Sequence, residues 1–297
     1  MLDSVENKST IRNPFPMLGK VFKYEFISTA RIFLPIYGAL ILIAFVAGLV
    51  TFTPDLIEYM RSSFLQNDAN ISPAILEKNS FITFILLFAL WLLGLTSTII
   101  TFIFLNSRFN KSMLGDESYL NHTLPVTLGE HLWGRFLSSF CWILIYMISI
   151  ALAGFLLVVK LIPLFSEVLK AAGGLGYVLS VFELKNGFSL VQLGLVALVV
   201  SISYLVMAIL FIFLLNAISH LAKKNRVLVV IASIIVLISI YSQSIRAIVS
   251  TYVNLEDFAS FTLVFKFLWT QFGMNIVFAA LYMTGTYLII KNRLNLE

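Results

Sequence analysis

The stretch richest in reactive side chains runs Arg108-Phe-Asn-Lys-Ser-Met-Leu-Gly-Asp-Glu-Ser-Tyr-Leu-Asn-His-Thr-Leu-Pro-Val-Thr127. It carries Asp116, Glu117 and His122, with Glu130 and His131 just beyond. Two imidazoles nine residues apart raise metal ligation as a role. Structural zinc sites use ligand spacings of a few residues, and no such spacing occurs here, so interface residues are the better reading. A second group, His220, Lys223, Lys224 and Arg226, is cationic and has no acidic neighbour. No Gly-x4-Gly-Lys-Ser/Thr run is present to cradle nucleotide phosphates. The one cysteine, Cys141, lies in an apolar run and can form no disulfide within the chain. A serine or cysteine nucleophile needs a nearby base, and the apolar runs contain no His, Asp or Glu, which argues against intramembrane hydrolysis. The expectation is recognition and docking, with no catalytic residue, metal or cofactor on this chain.

The elements that must position these residues are apolar. Of 297 residues, 60% are hydrophobic and only 12% charged, and the mean hydropathy is +0.96. Soluble domains carry about 25% charged residues, so a soluble globular enzyme is excluded. A membrane-crossing helix takes about 20 apolar residues, and a charge at mid-membrane costs roughly 2.5–3.5 kcal/mol. Six stretches of that kind lack Asp, Glu, Lys and Arg: 33–53, 81–105, 136–159, 193–215, 227–241 and 272–290. The fifth is short and needs Ser242 to Ser244 or the preceding turn to complete a crossing. The predicted fold is an all-α polytopic membrane protein with six transmembrane helices over residues 17–291. Residues 1–16 are read as a flexible cytoplasmic tail and 292–297 as a second tail. No cleavable signal peptide is expected, because residues 1–32 are charged and the run from Phe33 continues without a small-residue cleavage site.

Basic residues are retained on the cytoplasmic side of such proteins. Thirteen of the twenty Lys and Arg residues fall in the N-terminal segment, the second and fourth loops and the C-terminal tail. The odd-numbered loops, though longer, hold seven. Both termini are therefore expected to be cytoplasmic. The scattered charges form no basic stripe, so nucleic acid is not an expected partner. Residues 17–32 interleave Lys20, Lys23 and Arg31 with Val21, Phe22, Tyr24, Phe26 and Ile27, the pattern of an interfacial helix lying flat at the headgroups. Leu161–Leu184 and Ile245–Gln271 are apolar but carry charges that a full crossing would bury, and are read as interfacial or re-entrant on the outer face. Phe258–Phe272, ahead of the last span, is the preferred re-entrant segment. Thr127 with Glu130 and Ser189 with Gln192 have the spacing of capping boxes. Asp116 is placed to cap a helix starting near Glu117, and Pro125 should end it.

Proton-coupled carriers rely on intramembrane carboxylates or histidines, which these spans lack. Their polar groups, such as Ser201, Ser203, Tyr204 and Asn275, are neutral and are read as helix-to-helix hydrogen bonders. A transporter built this way takes its energy from a partner. With 27 Phe and no fixed counter-charge in the spans, its cargo would be amphipathic or apolar.

The run Gly115-Asp-Glu-Ser-Tyr-Leu-Asn-His-Thr-Leu-Pro-Val126 resembles the pattern in permease subunits of bacterial ATP-binding-cassette (ABC) exporters of the type-2 class. The six spans, the basic interfacial helix and the apolar outer segment before span six are similar to that family too. Ser118 departs from it, standing where family members often carry Gly. The resemblance implies a subunit of the bacterial plasma membrane that pairs with a second permease copy or homologue and with separate ATPase subunits, which bind ATP and Mg. It assigns the coupling helix to Asp116, Glu117, Tyr119, Leu120, His122, Thr123, Leu124 and Pro125. It assigns a smaller contact to His220, Lys223, Lys224 and Arg226, for which positive-charge retention of topology is an equally sufficient reading. Export of a peptide, drug or lipid, in antimicrobial resistance for example, is the implied function. A membrane scaffold docking a cytoplasmic regulator and a secondary carrier are the alternatives.

Overall fold

A computed structural model of the chain describes residues 15–54, 57–58, 60–61, 73–115, 127–171, 173–186, 189–222, 225–253 and 261–293. Every regular element among them is helical. They are α1 (Phe15–Thr51), α2 (Pro73–Phe109) with a π-helical turn (Asn110–Leu114), and α3 (Leu128–Val158) with a 3-10 turn (Val159–Leu161). The short helices α4 (Ile162–Ala171) and α5 (Gly174–Asn186) follow, then α6 (Leu190–Leu221), α7 (Arg226–Val253) and α8 (Phe261–Arg293). Six helices, α1, α2, α3, α6, α7 and α8, are long and apolar enough to cross a membrane. This gives the chain the character of a multi-pass membrane protein.

Each of the six long helices begins before its charge-free stretch, and α2, α6, α7 and α8 also run past its end. A helix leaving the hydrocarbon keeps its own backbone hydrogen bonds, and Lys and Arg at its end reach headgroup and water on long apolar stems. Charge therefore marks the membrane boundary without marking the helix boundary. Three ranges are read from the helices directly. Residues 17–32 do not form a separate flat helix: they continue into 33–51 as one helix, with Pro35 inside it. The short fifth span is completed through Ser242–Ser244 as the sequence reading requires, and α7 runs 28 residues to Val253. Of the segment 258–272 read as re-entrant, residues 261–272 form the opening turns of α8, and 258–260 lie outside the described residues.

The two capping boxes are formed as expected. Thr127 N–H donates to Glu130 Oε2 at 2.7 Å while Glu130 N–H donates to Thr127 Oγ1 at 3.3 Å. At α6 the reciprocal bonds of Ser189 and Gln192 are both 3.1 Å. Between them, α4 and α5 are joined at Gly173 and Gly174, whose φ values of 95° and 87° lie where only glycine sits without strain. At 10 and 13 residues, α4 and α5 span about 15 and 20 Å, short of the ~30 Å hydrocarbon core.

Two tightly packed pairs make up the bundle: α1 against α3 and α6 against α8, with α2 beside the first and α7 on the flank of the second. Phe33, Tyr37, Trp142 and Tyr146 interlock α1 with α3. A larger core joins α2, α3, α6 and α8 around Met113, Leu132, Phe213 and Tyr282. At the end opposite the 115–127 loop, Lys160 Nζ donates to the Leu49 carbonyl at 2.6 Å, meeting an orphan acceptor of the last turn of α1. Arg61 reaches Glu167 there through two hydrogen-bonded atoms, at 2.9 and 3.1 Å.

Candidate functional site

Asp116, Glu117, Tyr119, Leu120, His122, Thr123, Leu124 and Pro125 lie outside the described residues, as do Lys223 and Lys224. What the structure places is the frame that carries them. His220 sits half-buried in the last turn of α6, and Arg226 is exposed at the first residue of α7.

The exit from α2 is the π-helical turn Asn110–Leu114, in which Ser112, Met113 and Leu114 are buried. A π turn widens the helix by one residue and redirects side chains, and such turns collect at functional positions. Met113 is fully enclosed, and the Phe109 ring stacks on Phe213 of α6 with centroids 3.9 Å apart. Both join the core with Leu132 of α3 and Ala217 of α6. The return to α3 is locked by the Thr127 capping box, after which Leu132 and His131 are 0% and 2% exposed. Both feet of the loop are thus embedded in packed core.

Polar side chains tie the same region together. The Asn110 amide donates to Asn216 Oδ1 at 3.0 Å, and the Asn216 amide donates to Asn106 Oδ1, so three amides chain α2 to α6. Arg108 donates to the Ser28 hydroxyl and holds Glu25 Oε1 at 3.4 Å from its Nε, joining α2 to α1. Arg135 of α3 is 5% exposed and faces the same small void, about 10 Å³, as Glu25, Thr29, Arg108 and Ser138. That is room for a single water among polar walls.

On the outer side of the amide chain a groove of about 320 Å³ opens between α2, α6 and α7. Among the described residues no group of three His, Cys, Asp or Glu side chains converges as a metal site. Among the described residues, the flanks of the 115–127 loop are packed against α1, α3 and α6. No protein-family model, curated protein or solved structure matches the chain.

Sequence alone reads Arg108 and Arg135 only as topology charges and gives no role to Glu25, Ser28, Asn106, Asn110 or Asn216. A signal is present for the amides. Asn106 and Asn110 are four residues apart, on one helix face, beside an otherwise apolar span, and α6 offers one Asn near its end to answer them.

Proposed function

We propose that the chain is the membrane-embedded permease subunit of an ATP-driven exporter of the ABC type-2 kind, moving an amphipathic or apolar substrate. ATP is hydrolysed on separate soluble subunits. The loop between α2 and α3, through Asp116 to Pro125, receives their motion, and both termini face the cytoplasm of a bacterial cell. The observation that carries the reading is the double anchoring of that loop. A coupling element works only if its base is stiff, because packed interiors pass on a displacement that a flexible joint would absorb. Met113, Phe109 stacked on Phe213, and the Thr127–Glu130 box provide that stiffness on both sides. The lack of acidic or imidazole groups in the charge-free spans supports energy supplied from outside the chain.

The test is co-purification from native membranes followed by reconstitution. The expected result is recovery of a nucleotide-hydrolysing subunit whose ATPase rate in vesicles falls at least tenfold when Tyr119 and Leu120 are both replaced by alanine, with the permease still inserted. An intact complex with uncoupled ATPase and no transport would assign the chain to a scaffold. Gradient-driven uptake by this chain alone would assign it to a secondary carrier.

A further inference from the structure

The groove between α2, α6 and α7 is graded in polarity along its length. Arg226, one turn before the lining residue Val230, opens α7, is exposed, and forms no ion pair with any described residue. Val230 and Ile234 line the groove one and two turns further along α7, about 6 and 12 Å deeper at 1.5 Å per residue. α2 and α6 run the opposite way, so Asn106 and Asn216 fall in the shallow part. Phe102 and Ile212, one turn earlier on each helix, fall in the deep part.

The amides are only partly satisfied. Asn216 gives its N–H to Asn106 and accepts from Asn110, whereas Asn106 Nδ2 has no acceptor among the described residues and is not sealed away from the groove. A donor left unmet against hydrocarbon is costly, so a site of this kind calls for an acceptor at that depth. Read inward from the surface, the groove offers a cation, an amide donor and an apolar slot. A glycerophospholipid presents the complementary sequence in the same order: phosphate, ester carbonyl, acyl chain. The volume is within the range of small-ligand sites, and α7 is the least enclosed of the six long helices, so the groove opens sideways onto lipid.

We infer that this groove is a binding site for an anionic glycerophospholipid of the surrounding bilayer, with its phosphate at Arg226, an ester carbonyl at Asn106, and one acyl chain against Phe102, Ile212 and Ile234. The site is independent of whether the chain transports anything. Its charge complementarity selects an anionic headgroup over a zwitterionic one.

The experiment uses the full chain reconstituted in vesicles doped with phosphatidylglycerol carrying a diazirine on one acyl chain, and in parallel with the matched phosphatidylcholine. After irradiation, adducts are mapped by peptide mass spectrometry. Adducts are expected to concentrate on residues 102–106, 212–216 and 230–234 with the anionic probe. Arg226→Gln is expected to reduce the preference for phosphatidylglycerol about fivefold, the effect of one basic residue at a membrane surface. Asn106→Leu is expected to weaken labelling in both headgroup series. Ile212→Trp and Val230→Trp each fill the slot and should abolish these adducts while labelling of other lipid-facing helices persists. Two fillers are used so that a variant that fails to fold leaves the other to decide. Adducts spread evenly over the exposed apolar faces, equal labelling by the two headgroups, or ready disulfides between Ile103→Cys and Ile234→Cys of different chains would each overturn the inference.

Discussion

Asn275 is fully enclosed and its amide serves three helices at once. Its N–H donates to Ser203 Oγ of α6 at 3.0 Å, and its Oδ1 accepts from Tyr241 of α7 at 2.9 Å and from Gln271, one turn earlier on α8, at 3.1 Å. Ser201, two residues from Ser203, instead returns its hydroxyl to the Ala197 carbonyl of its own helix, and Tyr204 points outward at 51% exposure. Of the neutral polar groups expected to join helices, Ser203 and Asn275 do so, and Ser201 and Tyr204 do not. The distinction is invisible in composition, since it depends on which face of α6 meets α8. It makes a contrast that can be measured. Asn275→Ala leaves buried partners unmet and should cost about 1–3 kcal/mol; membrane-protein averages near 0.6 kcal/mol per hydrogen bond place the expectation at the low end for each bond lost. Ser201→Ala should change stability by less than about 0.5 kcal/mol. Unfolding of both variants in mixed micelles checks the pair, and equal losses would show that Asn275 is not the joint it resembles.

At the scale of the element, α1 and α3 approach closely enough that their contact depends on a missing side chain. A Cβ placed on Gly48 would fall within the van der Waals shell of the Leu156 carbonyl oxygen, a backbone atom that cannot swing aside. Small residues that let helix backbones touch are the usual means of association in lipid, where apolar burial between helices supplies little drive. Gly48→Ala should therefore push the outer ends of α1 and α3 apart and lower stability by about 1–3 kcal/mol. Gly38, on the same helix, has open space where a Cβ would stand, with no atom within 4 Å, and Gly38→Ala should be neutral or slightly stabilising. Thermal unfolding of the two variants separates crowding from helix propensity. These helices also show what is legible in the sequence. Six spans, their order and both capping boxes follow from local signals: runs without charge, and a Ser or Thr three residues before a Glu or Gln. Helix ends do not, because charge is no stop signal for a helix, and α1 and α8 continue through Lys20, Lys23, Arg31 and Lys266. The frame of the loop is illegible for a different reason. Arg108 meets Glu25 and Ser28 from about eighty residues away, and Asn216 meets Asn106 across 110. Pairings between distant spans leave no periodic trace in a single chain.

For the whole molecule, the two ends of the bundle differ in charge. Among the described residues, the end bearing the 115–127 loop carries Lys20, Lys23, Arg31, Arg108, Lys111, Arg135, Arg226 and Lys291, with Glu25 and Glu130. At the opposite end, the basic residues with described side chains are Arg61, which pairs with Glu58 at 3.6 Å and Glu167 at 2.9 Å, together with Lys160, Lys170, Arg246 and Lys266. The side richer in Lys and Arg is held in the cytoplasm during insertion, and acidic neighbours count for little. The excess of Lys and Arg at the loop end supports the orientation proposed for the loop, and it can be tested without knowing the substrate. With Cys141 replaced by alanine to remove the native thiol, Glu58→Cys and Lys111→Cys each place one cysteine at an exposed position, on opposite ends of the bundle. A membrane-impermeant maleimide added to intact cells should label Glu58→Cys and spare Lys111→Cys, and permeabilisation should expose the second. The reversed pattern would put the loop on the outer face, where no ATP-hydrolysing partner could reach it, and the permease reading would fall with the orientation. The lipid groove would survive that result, since Arg226 finds anionic headgroups in either leaflet that contains them.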